Sequence, residues 1–126
     1  MLTAGTDLNV TDSRFEGLGS EEVTTGGGIS SHDSNLTMSG CTFDSNKAVS
    51  GAGVYLECDF TSSTCAYDFE DSTFQLNEAA TQGGAVFYQS YKPQMRAITF
   101  TDNTAPYGSD LASYPVQIVS DSRRNL

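Results

Sequence analysis

A four-residue pattern, a phenylalanine followed three positions later by an asparagine, occurs three times in this chain of 126 residues. The copies are Phe43–Asn46, Phe74–Asn77 and Phe100–Asn103, and a degenerate copy begins at Phe15. In each full copy an alanine stands two positions after the asparagine, and a glycine follows soon after it. Repetition at a period of roughly 20–50 residues is typical of solenoids, propellers and other arrays. We therefore expect stacked copies of one structural unit.

Alignment on the phenylalanines brings apolar side chains to matching positions before each one. Five positions earlier stand Val10, Met38, Phe69 and Met95, and seven positions earlier stand Leu8, Leu36, Tyr67 and Pro93. This step of two residues is the alternation of a strand with one buried face. The alternation then breaks, which predicts a bend in every unit. The predicted bend positions are Asp12, Gly40, Asp71 and Ala97.

The second half of each unit carries small residues, as in Gly51-Ala-Gly-Val54 and Gly83-Gly-Ala-Val86. Small residues allow a tight corner and close approach of neighbouring backbones. The strand that follows is predicted to turn Ile29, Val54, Val86 and Leu111 inward. Because no segment has a helical period, the repeat predicts an all-β fold, a parallel β-helix of about four coils. We place the repeats near 8–35, 36–66, 67–92 and 93–120 within a single module, 1–126.

Stacked coils would place equivalent side chains over one another. The phenylalanines are predicted to form an aromatic column, and the asparagines an amide ladder at the turn. The column contains Phe15, Phe43, Phe74 and Phe100, and the ladder contains Asn46, Asn77 and Asn103. Leu18 occupies the asparagine position of the first unit, so the ladder is predicted to end there.

The cysteines and glycosylation sequons favour an extracellular or cell-surface location. Cys58 and Cys65 bracket a turn-rich loop, and a disulfide between them is predicted in an oxidising compartment. Cys41 is expected to be a buried and unreactive thiol. Sequons begin at Asn9 and Asn35, and both would accept glycans in a secreted protein.

The charge of the chain excludes several classes of partner. Asp and Glu number 16 against 6 Lys and Arg, for a net charge of −10. Nucleic acids and anionic membranes need a basic surface, so neither is expected as a partner. No apolar run approaches the roughly 20 residues of a membrane helix, so direct membrane insertion is not expected. No signal peptide is visible at the start, and we interpret the chain as a segment of a longer protein.

The paired motifs resemble the repeat of chlamydial polymorphic outer-membrane proteins, which also occurs in very large surface proteins of ciliates and other protists. The pairs are Phe43-Asp-Ser-Asn46 with Gly51-Ala-Gly-Val54, and Phe74-Gln-Leu-Asn77 with Gly83-Gly-Ala-Val86. The resemblance covers 36–115 well and the first 35 residues weakly. It implies a right-handed parallel β-helix of the pectin lyase-like type, displayed at a cell surface, with adhesive or scaffolding roles and no activity.

Catalysis and metal binding are alternatives to a structural role. Enzymes with a β-helix use carboxylates and a basic residue along one groove. The candidates are Asp44, Asp68, Glu70, Asp71 and Asp102, with Lys47, Lys92 or Arg96. Solvated turn carboxylates explain these positions more simply, so no enzyme is expected, and a carbohydrate-active enzyme is the alternative.

No metal or other cofactor is expected, although calcium-dependent assembly remains a third possibility. The candidate calcium ligands are Asp7, Asp12, Glu16, Glu21 and Glu22, outside any known calcium-loop pattern. His32 is the only histidine, which argues against zinc. The many serines allow a Ser-His-Asp triad on paper, but no nucleophile elbow is evident.

Tyr55 and Phe87 follow the inward Val54 and Val86 by one residue, so they are expected to point outward and to stack. Such a strip can bind glycan rings or another chain, or it can pack beneath a loop or a neighbouring domain. The sequence therefore predicts a non-catalytic extracellular structural or adhesion module of a larger cell-surface protein. Its expected partners are flanking domains, other protein chains and glycans.

Overall fold

The computed structural model describes residues 2–4, 7–20, 22, 25–59 and 65–114. These residues contain no helix, and every strand pairing is parallel. The strands are β1 (Leu2–Ala4), β2 (Asp7–Thr11), β3 (Arg14–Glu16), β4 (Ile29–His32), β5 (Asn35–Ser39), β6 (Thr42–Asp44), β7 (Lys47–Ser50), β8 (Val54–Glu57), β9 (Tyr67–Glu70), β10 (Thr73–Gln75), β11 (Glu78–Gln82), β12 (Val86–Gln89), β13 (Gln94–Arg96), β14 (Thr99–Thr101) and β15 (Leu111–Tyr114). No helix in the described part has the length and apolar character needed to span a bilayer.

The strands form four parallel sheets that run along the stack. Sheet 1 has the order β1-β4-β8-β12-β15, sheet 2 β2-β5-β9-β13, sheet 3 β3-β6-β10-β14, and sheet 4 β7-β11. Each coil passes through sheets 2, 3 and 1 in that order, and the two middle coils add a strand of sheet 4 between sheets 3 and 1. The first and last coils meet sheet 4 only through isolated bridges among the described residues. The predicted fold class is therefore confirmed, because the chain is a parallel β-solenoid of about four turns.

Single residues in the left-handed backbone region turn the chain at three corners of each coil, with φ between 47° and 68°. The corner after sheet 2 contains Asp12, Gly40, Asp71 and Ala97, which are the predicted bend positions. The corner after sheet 3 contains Gly17, Ser45, Leu76 and Asp102, and the corner before sheet 1 contains Gly26, Gly51, Gly83 and Gly108.

The corner before sheet 1 is glycine in every coil because space is lacking there as well. A Cβ at Gly51 would lie 2.5 Å from the Val54 carbonyl oxygen, and one at Gly83 would lie 2.8 Å from that of Val86. Real Cβ atoms do not approach backbone oxygens so closely, and a left-handed φ also disfavours them. This corner therefore requires glycine in the coils where sheet 4 is followed by sheet 1.

The core lies inside the tube and consists of the inward columns predicted from the alignment. In sheet 1, Ile29, Val54 and Val86 are adjacent in register and have no exposed surface. In sheet 2, the register joins Leu36 to Tyr67 and Met38 to Phe69. All four are buried. The apolar interior thus runs continuously from coil to coil.

The four phenylalanines of the repeat form one stacked column. Successive ring centroids are 4.8, 4.7 and 5.6 Å apart from Phe15 to Phe100, and the ring planes deviate by 4°, 6° and 25°. Phe43 and Phe74, in the middle, are fully buried, whereas the two end rings are partly exposed. The column is therefore covered on both faces only in the middle coils.

The asparagines form a buried hydrogen-bond ladder next to that column. The Asn77 Oδ1 accepts from the backbone N–H and the Nδ2 of Asn46, both at 3.0 Å, and Asn103 does the same for Asn77. The Nδ2 of each asparagine also donates to the preceding coil's phenylalanine carbonyl, at 3.0 Å. At Leu18 only a backbone N–H reaches Asn46, at 2.9 Å, so the ladder of side chains begins at Asn46.

The predicted disulfide between Cys58 and Cys65 is present, with Cα atoms 6.3 Å apart. It closes a loop at the corner between sheets 1 and 2, where added length costs little free energy. Cys41 is free and 1% exposed, and its thiol contacts the Val10 carbonyl oxygen at 3.4 Å.

Candidate functional site

A groove of about 330 Å³ lies on the outside of the solenoid, where sheet 4 meets sheet 1. Its lining residues belong to three successive coils: Thr25, Ser50, Tyr55, Glu57, Gln82, Phe87 and Gln89. Thr25 pairs in register with Ser50, and Ser50 with Gln82, so these three form one wall. The other wall is the outer face of β8 and β12, because the alternate residues of those strands point into the core.

Tyr55 and Phe87 lie in this second wall, and their rings stack at 5.2 Å with 20° between the planes. The position is the predicted one, but Phe87 is only 3% exposed and does not form an exposed aromatic strip. The faces of the two rings are turned toward each other along the stack, so the groove receives mainly ring edges. Burial, and then the nearby Glu57 carboxylate, raises the pKa of Tyr55 to about 12.

A serine, a histidine and a glutamate meet at the end of this groove. Ser30 and His32 are two residues apart on β4 and share its outer face, and His32 is paired in register with Glu57 on β8. The His32 Nε2 lies 3.2 Å from the Ser30 Oγ, and the His32 Nδ1 lies 3.1 Å from the Glu57 Oε1. Thr25 Oγ1 lies 3.1 Å from the Ser30 Oγ.

This cluster was not predicted, because Ser30 lies on a strand and not on the strained turn that is typical of a nucleophilic serine. The signal was nevertheless available in the glycine-corner alignment. That alignment matches Ile29 to Val54, and so places His32 opposite Glu57. Only the side-chain rotamers, which bring Ser30 and Glu57 to opposite nitrogens of one ring, could not be read from the sequence.

Three of the carboxylates considered for polysaccharide chemistry lie on two different sheets and are paired with arginines. On sheet 3, the Asp44 Oδ2 accepts from Arg14 at 2.7 Å and from Gln75 at 3.0 Å. Hydrogen bonds from Ser45 and Gln75, and then the Arg14 guanidinium, hold the pKa of Asp44 below its usual range.

The other carboxylates of that set lie on sheet 2 or at the corners. Asp68 and Glu70 share Arg96, at 3.1 and 3.3 Å. Asp71 and Asp102 are exposed residues of the left-handed corners. The structure therefore does not bring the set into one groove.

The predicted calcium ligands do not gather at one point in the described part of the chain. Glu21 lies outside the described residues. The one group of three metal-ligating residues among those described is Asp33, Cys58 and Cys65, and its two sulfurs are joined in the disulfide. The Asp33 Oδ1 accepts from the Asp59 backbone N–H at 2.7 Å, so this carboxylate holds the disulfide corner.

The two sequon asparagines differ in their surroundings. Asn9 is exposed on the outer face of β2. Asn35 is partly buried, and its Nδ2 donates to the Asp7 carboxylate at 2.6 Å while its Oδ1 accepts from the Ala66 backbone N–H at 2.8 Å. A glycan is thus easier to accommodate at Asn9 than at Asn35.

Comparison with known proteins identifies no relative of this chain. No protein-family model, curated protein or solved structure matches the chain. The assignment of the fold as a parallel β-solenoid therefore rests on the strand pairing alone. Membership of the polymorphic outer-membrane protein family is not shown.

Proposed function

We propose that this chain is a structural or adhesion module of a larger cell-surface protein, of the kind built from the polymorphic outer-membrane protein repeat. The asparagine ladder is the observation that carries this proposal. Its buried amides satisfy one another from coil to coil. Fully satisfied polar networks rigidify a repeat array and fix its register, which is what a scaffold requires.

The ends of the solenoid support a partner that continues the stack. Phe43 and Phe74 are fully buried, whereas Phe15 and Phe100 are partly exposed because each has a ring on one face only. The strands of the last coil also present an unpaired edge within the described residues. Natural solenoids cover such edges with further repeats or caps. Flanking domains or other chains are therefore the proposed partners at both ends.

The disulfide and the exposed sequon support an extracellular location. Disulfides persist in oxidising compartments and are rare in the cytosol. Asn9 is exposed on the outer face of β2, where its side chain can accept a glycan. The proposed route is secretion, with the module displayed outside the cell and its outer groove available to glycans or another chain.

The location is tested with an antibody raised against the module and applied to intact cells of its source. The expected result is staining without permeabilisation, together with modification by a membrane-impermeant amine reagent. Staining that appears only after permeabilisation would contradict the proposal. Peptide mapping of the native protein would also show a glycan on Asn9 if the route is secretory.

The adhesive role is tested by binding of the purified module to a panel of immobilised glycans. Gln82 and Gln89 line the groove with amide groups that can bond sugar hydroxyls. The Gln82→Ala and Gln89→Ala variants should lose binding, and Thr99→Ala, on the exposed face of sheet 3, should retain it. Equal binding by all three variants would show that the groove is not the glycan-binding site.

A further inference from the structure

We propose that Ser30 is an activated nucleophile, with His32 as its general base and Glu57 as the residue that positions the imidazole ring. The substrate class is an uncharged ester, and the reaction is acyl transfer to Ser30 followed by hydrolysis. This inference goes beyond the structural role proposed above and departs from the expectation that the chain has no catalytic residue.

The hydrogen bonds fix the role of each nitrogen. Glu57 accepts only, so the His32 Nδ1 that faces it at 3.1 Å carries the proton. In a neutral imidazole the other nitrogen then has a free lone pair, and the Ser30 hydroxyl lies 3.2 Å from it. A nucleophile within hydrogen-bond reach of a base that a third group orients is the arrangement of an activated serine.

The groove supplies access to Ser30. Ser30 itself is only 6% exposed, but Thr25 and Glu57, which flank it in the hydrogen-bond chain, both line the groove. A carbonyl group would reach Ser30 from the Thr25 side, where the Thr25 hydroxyl can donate to the oxyanion. The lining residues carry hydroxyls, amides and one carboxylate, and no lysine or arginine. Anionic esters are therefore disfavoured, and an ester of a hydroxyl-rich alcohol fits.

The proposed ester hydrolysis requires no redox partner and no metal. The Ser30 Oγ bonds to the ester carbonyl carbon while its proton passes to the His32 Nε2. The bond from that carbon to the alcohol oxygen breaks, and the leaving alcohol takes the proton from His32. Water then attacks the acyl-serine by the same proton path, which releases a carboxylic acid and restores the Ser30 hydroxyl.

The test treats the unaltered chain with a fluorophosphonate, which phosphonylates activated serines and releases fluoride. Peptide mass spectrometry then locates the label, so the result does not depend on whether a serine variant folds. The expected label is on Ser30. Ser50 is the matched control, because it borders the same groove but contacts Thr81 rather than a histidine.

Variants separate the general base from the positioning residue. His32→Ala should slow labelling at least about 100-fold, the usual contribution of a general base, and added imidazole should restore part of the rate. Glu57→Gln should slow it about tenfold, less than the loss of a buried triad carboxylate, because Glu57 is 44% exposed. Glu57→Asp should recover part of that loss, with unchanged circular dichroism in all variants.

An ester readout completes the experiment. The unaltered chain should release nitrophenolate from p-nitrophenyl acetate faster than the His32→Ala variant does. Absence of label on Ser30, equal labelling of Ser50, or an unchanged rate in His32→Ala would each overturn the proposal. An unchanged rate in Glu57→Gln would overturn the positioning role of the carboxylate.

Discussion

The two faces of sheet 1 follow different rules although they belong to the same strands. On the inner face, Ile29, Val54 and Val86 are similar residues in register, and all are buried. On the outer face the same register joins Ser30 to Tyr55 and Tyr55 to Phe87, so a hydroxyl residue is followed by two stacked aromatic rings. Packing inside the tube constrains the inner residues to repeat, whereas the outer residues differ from coil to coil even where they are buried, as Ser30 and Phe87 are. The outer face is therefore where a function particular to this chain can be built.

The largest effect is expected in the middle of the aromatic column. Phe74→Ala removes a fully buried ring that contacts Phe43 and Phe100 on its two faces. Loss of a buried phenylalanine lowers the free energy of unfolding by about 3–5 kcal/mol, from lost transfer energy and the remaining cavity. Urea denaturation measures the change.

Phe100→Ala is the matched control, because that ring is partly exposed and stacks on one side only. Its cost should be clearly smaller than that of Phe74→Ala. Equal costs for the two variants would show that the position within the stack does not matter, and the contrast between buried middle and open end would fail.

The asparagine ladder should be nearly as sensitive. Asn77→Ala leaves the Asn46 N–H and amide without their acceptor, and the Phe43 carbonyl without its donor. Each buried group left unsatisfied costs about 1–3 kcal/mol, and partial relaxation makes roughly 2–4 kcal/mol a reasonable total. Thr37→Ala, on an exposed outer position, should change stability by less than about 0.5 kcal/mol. Thermal and urea melts that rank these two variants equally would contradict the difference between the faces.

The features that the sequence predicts are the repeated ones, and the features that it does not predict are those that occur once. The inward columns, the corners and the ladder follow from the repeat, because each coil supplies independent evidence for the same position. The alignment places His32 opposite Glu57, but the side-chain contacts of Asp44 with Arg14 and of His32 with Ser30 depend on rotamers that occur once and that no repeat reveals. Phe87 lies on the predicted outer face, but its burial against the ring of Tyr55 and beside Gly83 does not follow from strand alternation.

Completion of the ladder in the first coil should stabilise the protein by a smaller amount. Leu18 stands at the asparagine position, is 40% exposed, and offers only its backbone N–H to Asn46. In Leu18→Asn the new amide can donate to the Asn46 Oδ1, as Asn46 does to Asn77. One added hydrogen bond contributes about 0.5–1.5 kcal/mol to the free energy of unfolding.

Leu18→Asp is the control for that gain, because aspartate has nearly the same shape but no amide donor. It should give no stabilisation above pH 5, where the carboxylate faces the Asn46 oxygen. If both variants stabilise the protein equally, the gain comes from removal of an exposed leucine and not from a new hydrogen bond in the ladder.

The smallest effect concerns acid stability on the outer face of sheet 3. The folded-state pKa of Asp44 is lowered by hydrogen bonds from Ser45 and Gln75 and by Arg14. A lowered pKa contributes stability that is present above the unfolded value, near 3.9, and lost as the pH falls through the folded value. Asp44→Asn removes the titrating group, so the loss of stability on acidification from pH 5 to pH 2 should be less steep than in the unaltered chain. Urea midpoints measured at several pH values give this slope directly, and Asp102→Asn, at an exposed corner, serves as the comparison. If Asp44→Asn and Asp102→Asn change the slope equally, the hydrogen bonds around Asp44 do not stabilise its charged form, and the outer face of sheet 3 contributes nothing specific to the stack.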